Sequence, residues 1–91
     1  MIRSFRHKGL EELFMKGRSA KIAPALQRRI LSRLDVLDQA LKPEDMNLPG
    51  FDFHGLLGLP KRYTVHVNGP WCLTFEWEEN DPLRVDLEQY H

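Results

Sequence analysis

Alternation of apolar and polar residues is strongest between Lys61 and Trp77, where it predicts two β-strands folded into a hairpin. Asn68-Gly69-Pro70 suits the turn, because glycine tolerates positive φ and proline fixes its own φ. A period of two collects the odd-numbered residues on one apolar face, which consists of Tyr63, Val65, Val67, Trp71, Leu73, Phe75 and Trp77. We therefore expect this face to pack against the core of the protein.

The even-numbered residues of the hairpin form a second, polar face. If Val67 lies opposite Trp71, polar residues of the two strands meet in pairs, which are His66 with Cys72 and Thr64 with Thr74. A polar face behind a core face is the place where we look for functional residues.

Helical spacing predicts two helices ahead of the hairpin. The first spans residues 7–16, with a stripe of Leu10, Leu13 and Phe14, and Gly17 suits the position after its end. The second begins near Pro24 and is ended by Pro43. Its apolar stripe consists of Leu26, Ile30, Leu34, Leu37 and Leu41.

The polar side of the second helix is rich in arginine. Residues that lie largely off the apolar stripe are Gln27, Arg28, Arg29, Arg33 and Asp35. These arginines predict either a solvated helix face or a docking surface for a partner, and the sequence does not choose between the two.

Three further short strands complete the expected fold. Residues 1–5 and 51–54 are strand candidates, and Leu83, Val85 and Leu87 alternate with charged residues in a last strand. The order β-α-α-β-β-β-β predicts an α+β fold, in which both helices pack on the odd-numbered face of a mainly antiparallel sheet. The length of 91 residues indicates one domain over 1–91.

Composition and charge narrow the class of protein. A single cysteine excludes an intrachain disulfide framework and indicates a reducing compartment. No apolar run approaches the roughly 20 residues that span a bilayer, and the N-terminus lacks the apolar core of a signal peptide, so we expect a cytoplasmic protein. The net charge of zero divides into +6 over residues 1–42 and −6 over residues 43–91. This asymmetry suits either solvated faces or a basic flank for a phosphate backbone or an acidic partner.

Histidines are the main candidates for chemistry, because imidazole exchanges protons near neutral pH. His54 ends a short strand, His66 lies on the polar face, and His91 is the last residue. Cys72 opposite His66 resembles a thiol–imidazole pair, but no other sign of a cysteine nucleophile accompanies it. These residues lack the spacing of familiar zinc motifs, so we expect no metal. The residues alone predict a small α+β domain with a candidate acid–base face.

Several segments lie in a characteristic order along nearly the whole chain, and they are Met1-Ile2-Arg3-Ser4-Phe5, Lys8-Gly9-Leu10, Leu13-Phe14 with Gly17, Leu48-Pro49-Gly50, Phe53-His54 with Leu56 and Gly58, Val67-Asn68 with Trp71, and Tyr90-His91. In this combination the chain resembles the HigB toxins of the RelE/ParE superfamily of bacterial toxin–antitoxin systems. The resemblance implies a RelE-like fold and a ribosome-dependent endoribonuclease, without cofactor, that cleaves mRNA in the ribosomal A site. It also implies neutralisation by a helix-turn-helix antitoxin, HigA, and operator DNA is a further partner to be considered through the antitoxin complex.

The resemblance also suggests roles for individual residues. His54, Tyr90 and His91 match family positions associated with activity. His54 and His91 would form the acid–base pair for attack by the ribose 2′-OH, with acid and base left unassigned, and Tyr90 would orient the nucleotide by stacking or a hydrogen bond. Three positions depart from the commoner pattern, because Leu57 and Cys72 replace cations and Gln89 replaces a carboxylate.

Three interpretations of these departures remain open. Lys61, Arg62 or His66 supplies the missing positive charge as the phosphate-binding group, or the nuclease is weak or acts on a different substrate. Alternatively, the protein is a non-catalytic or ParE-like toxin that acts by binding a protein such as DNA gyrase.

Overall fold

The computed structural model describes residues 1–89, so the predicted site residues Tyr90 and His91 lie outside the described residues. Its four strands form one antiparallel sheet in the order β1-β2-β3-β4. The elements are the helices α1 (Lys8–Lys16) and α2 (Pro24–Gln39), a 3₁₀ helix (Pro43–Met46), and the strands β1 (His54–Leu56), β2 (Arg62–Asn68), β3 (Trp71–Glu78) and β4 (Asp81–Gln89). The predicted α+β fold is confirmed.

Both helices cover the apolar face of the sheet, as the alternation predicted. Their stripes join the odd-numbered strand residues in one buried cluster that includes Leu10, Leu13, Leu26, Ile30, Leu34, Leu37, Val65, Val67, Leu73, Phe75 and Val85. His7 caps α1, because its Nδ1 accepts the backbone N–H groups of Gly9 at 3.0 Å and Leu10 at 3.3 Å. Gly17 ends α1 at φ 81°, with its N–H on the Leu13 carbonyl. One histidine therefore serves the fold.

The second helix ends four residues before Pro43, which instead begins the 3₁₀ helix. Ala40 is extended, and the Asp45 carboxylate accepts the backbone N–H groups of Leu41 at 2.9 Å and Lys42 at 3.3 Å. These bonds replace a further helical turn. Leu41 is consequently exposed rather than part of the core, and Ala40 is buried in its place.

The arginines of α2 do not share one environment. Arg28 is exposed, whereas Arg29 donates to the Val67 carbonyl at 3.2 Å. Arg33 is buried, and its Nε donates to the His66 carbonyl at 2.6 Å while the guanidinium lies 4.4 Å from the centre of the Phe51 ring. Burial, with the nearby charge of Arg29, lowers the pKa of Arg33 from its ordinary value. Neither of the two predicted roles, a solvated face or a docking surface, holds for Arg33, since it is buried and fastens α2 to the sheet.

The hairpin has the predicted pairs His66–Cys72 and Thr64–Thr74, but Trp71 lies opposite Asn68 rather than Val67. A bulge between His66 and Asn68 absorbs the extra residue, and therefore the polar pairs survive.

A second bulge lies between β3 and β4. Arg84 has φ 48°, and the register shifts so that Leu83 lies opposite Glu76 while Asp86 lies opposite Thr74. Leu83 therefore belongs to the polar face, unlike Val85, although alternation had placed both on one face.

The predicted first strand is reduced to a single parallel bridge between Phe5 and Val85. The Arg6 N–H donates to the Val85 carbonyl at 2.8 Å, and the Val85 N–H donates to the Ser4 carbonyl at 3.1 Å. Arg3 anchors the start of this segment through ion pairs that include Asp81 at 3.2 Å. The segment therefore runs beside β4. Within residues 1–89, no helix has the length and apolar character needed to cross a membrane.

Candidate active site

The register aligns the residues of the polar face in three rows across the sheet. One row runs through His54, Thr64, Thr74 and Asp86 on the four successive strands. The row on one side consists of Leu56, Arg62, Glu76 and Leu83, and the row on the other consists of His66, Cys72 and Glu88. Three predicted residues, His54, Arg62 and His66, therefore share one face.

Two arginines bind the same carboxylate at the centre of this face. Arg62 Nη1 donates to one oxygen of Glu76 at 2.7 Å, and Arg84 Nη1 donates to the other at 2.9 Å. Arg62 Nη2 donates to the Thr74 hydroxyl at 2.9 Å and to the Arg84 carbonyl at 3.0 Å. The Thr74 hydroxyl in turn donates to Glu88. The charge of Arg62 is thus compensated within the protein.

An open cleft of about 570 Å³ lies beside this network. Its walls are residues 55–60, which include the end of β1 and the loop ahead of β2, together with Arg62, Glu88 and, from the N-terminal segment, Arg6. Leu57 and Leu59 also line it, and both side chains are fully exposed to solvent. This volume falls in the range of about 300–1,000 Å³ that is typical of ligand sites.

His54 immediately precedes the cleft wall and is exposed. Its Nδ1 lies 2.9 Å from the Asp52 carbonyl oxygen. Because a carbonyl oxygen only accepts, this bond requires the ring proton on Nδ1, which leaves Nε2 of the neutral ring free to accept a proton. The geometry is that of a solvent-accessible base.

The other predicted residues lie around the cleft rather than in its walls. Lys61 Nζ lies 5.6 Å from the centre of the Tyr63 ring and donates to the Leu56 carbonyl at 3.3 Å, so it points toward the odd-numbered face. His66 Nε2 is 3.0 Å from the Gly69 carbonyl oxygen, at the hairpin turn. Cys72 is a half-buried free thiol opposite His66, and no hydrogen bond joins the two side chains. In the part of the chain that the structure describes, no three His, Cys, Asp or Glu side chains are grouped to hold a metal.

Sequence reasoning missed Arg6 and Glu88 as cleft residues. The period-two alternation could have placed both on the polar face, since Arg6 follows the half-buried Phe5 and Glu88 follows Leu87, which packs against the core. The position of Gln89 agrees with this pattern, because it pairs with Trp71 and is one residue out of phase with the polar face.

Comparison of the sequence with known proteins shows the family to which this chain belongs. Residues 3–91 match the family model for HigB-like toxins, described as RelE-like toxins of type II toxin–antitoxin systems. The chain is 34% identical to the endoribonuclease HigB of Proteus vulgaris, over the full length of both proteins. It is 26% identical to toxin HigB-1 of Vibrio cholerae serotype O1 (strain ATCC 39315 / El Tor Inaba N16961), covering 99% of this chain and 98% of that protein. The chain therefore belongs to the HigB-like toxin family, and the resemblance inferred from its segments is confirmed.

Proposed function

We propose that this protein is a ribosome-dependent endoribonuclease that cleaves mRNA in the A site and is held inactive by a HigA-like helix-turn-helix antitoxin. The full-length similarity to a relative named as an endoribonuclease supports this function. The observation that carries it on the structural side is an exposed imidazole, His54, at the border of an open cleft on the polar face. An imidazole beside a groove meets the main requirement of metal-free RNA cleavage, a group that exchanges protons near pH 7.

In the proposed reaction, the ribose 2′-oxygen bonds to the adjacent phosphorus and the bond to the 5′-oxygen breaks. The products are a 2′,3′-cyclic phosphate and a 5′-hydroxyl. His54 Nε2 takes the 2′-OH proton, since Nδ1 carries the ring proton on its bond to Asp52. His91 protonates the leaving 5′-oxygen, and Tyr90 orients the nucleotide by stacking or a hydrogen bond.

Phosphate binding by Lys61, Arg62 and His66 stays a prediction. Of the three, Arg62 lines the cleft, and its Nη atoms are bonded to Glu76, Thr74 and the Arg84 carbonyl.

The proposed partners follow from the proposed reaction. The ribosome and mRNA place the site of action in the cytoplasm, and operator DNA is reached only through the antitoxin complex. On α2, the exposed Arg28 is available to an acidic partner surface, whereas Arg29 and Arg33 donate to carbonyls of β2.

Mapping of RNA ends after induction of the toxin in cells tests the proposed activity. We expect new 5′ ends within translated regions, carrying 5′-hydroxyl groups, and we expect co-expression of the cognate antitoxin to abolish them. Growth arrest without new 5′ ends would contradict the nuclease, and accompanying gyrase-linked DNA damage would favour the ParE-like alternative.

A further inference from the structure

The cleft has two arginines in its walls, Arg6 and Arg62, and they differ in what they bind. The Nη atoms of Arg62 donate to Glu76, Thr74 and the Arg84 carbonyl, and its Nε is buried. A guanidinium committed in this way offers little to a phosphate. The Arg6 guanidinium, by contrast, makes no hydrogen bond or ion pair with any residue in the range 1–89.

The backbone around Arg6 is held in place although its side chain is exposed. The Arg6 N–H donates to the Val85 carbonyl at 2.8 Å, and the preceding Phe5 bridges to Val85. Phe5 also packs against Phe14 of α1, with 5.8 Å between the ring centres. In an extended segment the side chains alternate, so anchoring Phe5 on the apolar side directs Arg6 to the polar side. Ser4, on the polar side with Arg6, accepts the Arg84 N–H through its hydroxyl at 2.9 Å.

The cleft therefore combines a cation that has no partner among residues 1–89 with two exposed leucines, Leu57 and Leu59. The carboxylate in the wall, Glu88, is turned onto the Thr74 hydroxyl and forms no ion pair with Arg6. A guanidinium presents paired N–H donors that match two phosphate oxygens, while apolar side chains suit the faces of sugars and bases. This chemistry fits a single-stranded polynucleotide.

We propose that Arg6 binds a phosphodiester of single-stranded RNA in the cleft, and so supplies a positive charge that Leu57 and Cys72 do not. This proposal rests on the proposed function, in which RNA is the substrate. Arg6 binds the substrate, and proton transfer is left to His54 and His91. The N-terminal segment, which is a single bridge rather than a strand, thereby becomes one wall of the substrate site.

Binding of a non-cleavable RNA tests the proposal separately from catalysis. The probe is a fluorescent 2′-O-methyl RNA oligonucleotide, which lacks the attacking hydroxyl, and its affinity is measured by anisotropy over a series of salt concentrations. Arg6→Gln should weaken binding by about tenfold and reduce the slope of log Kd against log salt by about 0.7, as expected for one lost phosphate contact. Arg6→Lys should keep the slope because it keeps the charge.

Arg18→Gln is the matched control, because Arg18 is also an exposed arginine of the basic half but does not line the cleft. It should bind the probe like the parent protein. Equal affinity and equal slope for Arg6→Gln and the parent would overturn the proposal, as would absence of any binding by the parent. If the parent binds the probe through Arg6 yet cleaves no mRNA on ribosomes, the role of Arg6 stands and the nuclease function fails.

Discussion

Replacing Glu76 by glutamine removes the carboxylate to which two arginines of the polar face are bound. The side chains of Glu76 and Arg62 are only 10% and 14% exposed, so their ion pair at 2.7 Å is largely desolvated. Breaking a buried pair by removing one partner costs about 3–5 kcal/mol, because the other charge stays buried. Arg84 is 53% exposed and returns to water, and so its bridge adds no more than about 1 kcal/mol.

We therefore expect Glu76→Gln to lower the free energy of unfolding by about 3 kcal/mol. Urea denaturation followed by the fluorescence of Trp71 and Trp77, both on β3, measures this loss. With a urea dependence of about 1–3 kcal/mol per molar, the midpoint should fall by about 1–3 M.

Glu78→Gln is the matched control on the same strand. Glu78 also bonds an arginine, Arg3 at 3.2 Å, but its side chain is 59% exposed. An exposed pair contributes about 0–1 kcal/mol, so this variant should unfold close to the parent. Equal losses for the two variants would refute the argument that burial makes the Glu76 network costly to break. The double variant Arg62→Met/Glu76→Leu should be more stable than Glu76→Gln, because it leaves no guanidinium buried beside β3.

Three further changes test other parts of the structure. Arg33→Ala should lower the free energy of unfolding by about 2–4 kcal/mol, measured by urea denaturation, because it removes charged hydrogen bonds and a ring contact. Arg28→Ala, on the exposed side of α2, should lower it by less than about 0.5 kcal/mol. Equal losses would show that Arg33 does not fasten α2. Leu57→Lys should raise the rate of mRNA cleavage on ribosomes, because it adds a cation to the cleft wall, and an unchanged rate would mean that position 57 does not contact the phosphates. The Met1 amino group, together with Arg3, holds the pKa of Asp81 below its ordinary value of 3.8. The ionised Asp81 carboxylate therefore stabilises the fold above that pH, and this stabilisation is lost as the pH falls through the lower pKa of the folded state. The stability difference between the parent and Asp81→Asn, measured by thermal unfolding, should consequently shrink below about pH 4, and a constant difference would exclude this linkage.

Local periodicity was sufficient to predict most of the fold. Local patterns were correct in both helices as far as Leu37 and in the hairpin, because each depends on residues within one element. The strand predicted over residues 51–54 instead spans His54–Leu56. The cross-strand pair His66–Cys72 was also predicted, since it needs only a hairpin near Gly69. The position of His54 on the polar face, by contrast, follows from the pairing of β1 with β2 and was not predicted.

Features that depend on contacts between elements could not be predicted from local sequence patterns. The bulge at Arg84 inserts one residue and moves Leu83 to the other face, and nothing in the alternation indicates where such an insertion falls. Arg33 is buried because carbonyls of β2 and the loop at Gly50 lie above it, which the helix pattern alone does not contain.

The cleft itself was missed for the same reason. It forms where the N-terminal segment with Arg6 meets the loop ahead of β2, although these two segments are far apart in the sequence.

Single-turnover cleavage of mRNA on purified, programmed ribosomes tests most directly the claim that the polar face is the catalytic surface. His54→Asn should lower the cleavage rate by about 100-fold or more, the contribution typical of one acid–base group. His7→Asn should cleave at the parent rate, because that imidazole caps α1 and asparagine preserves a capping acceptor. A cleavage rate for His54→Asn within twofold of the parent would contradict the account.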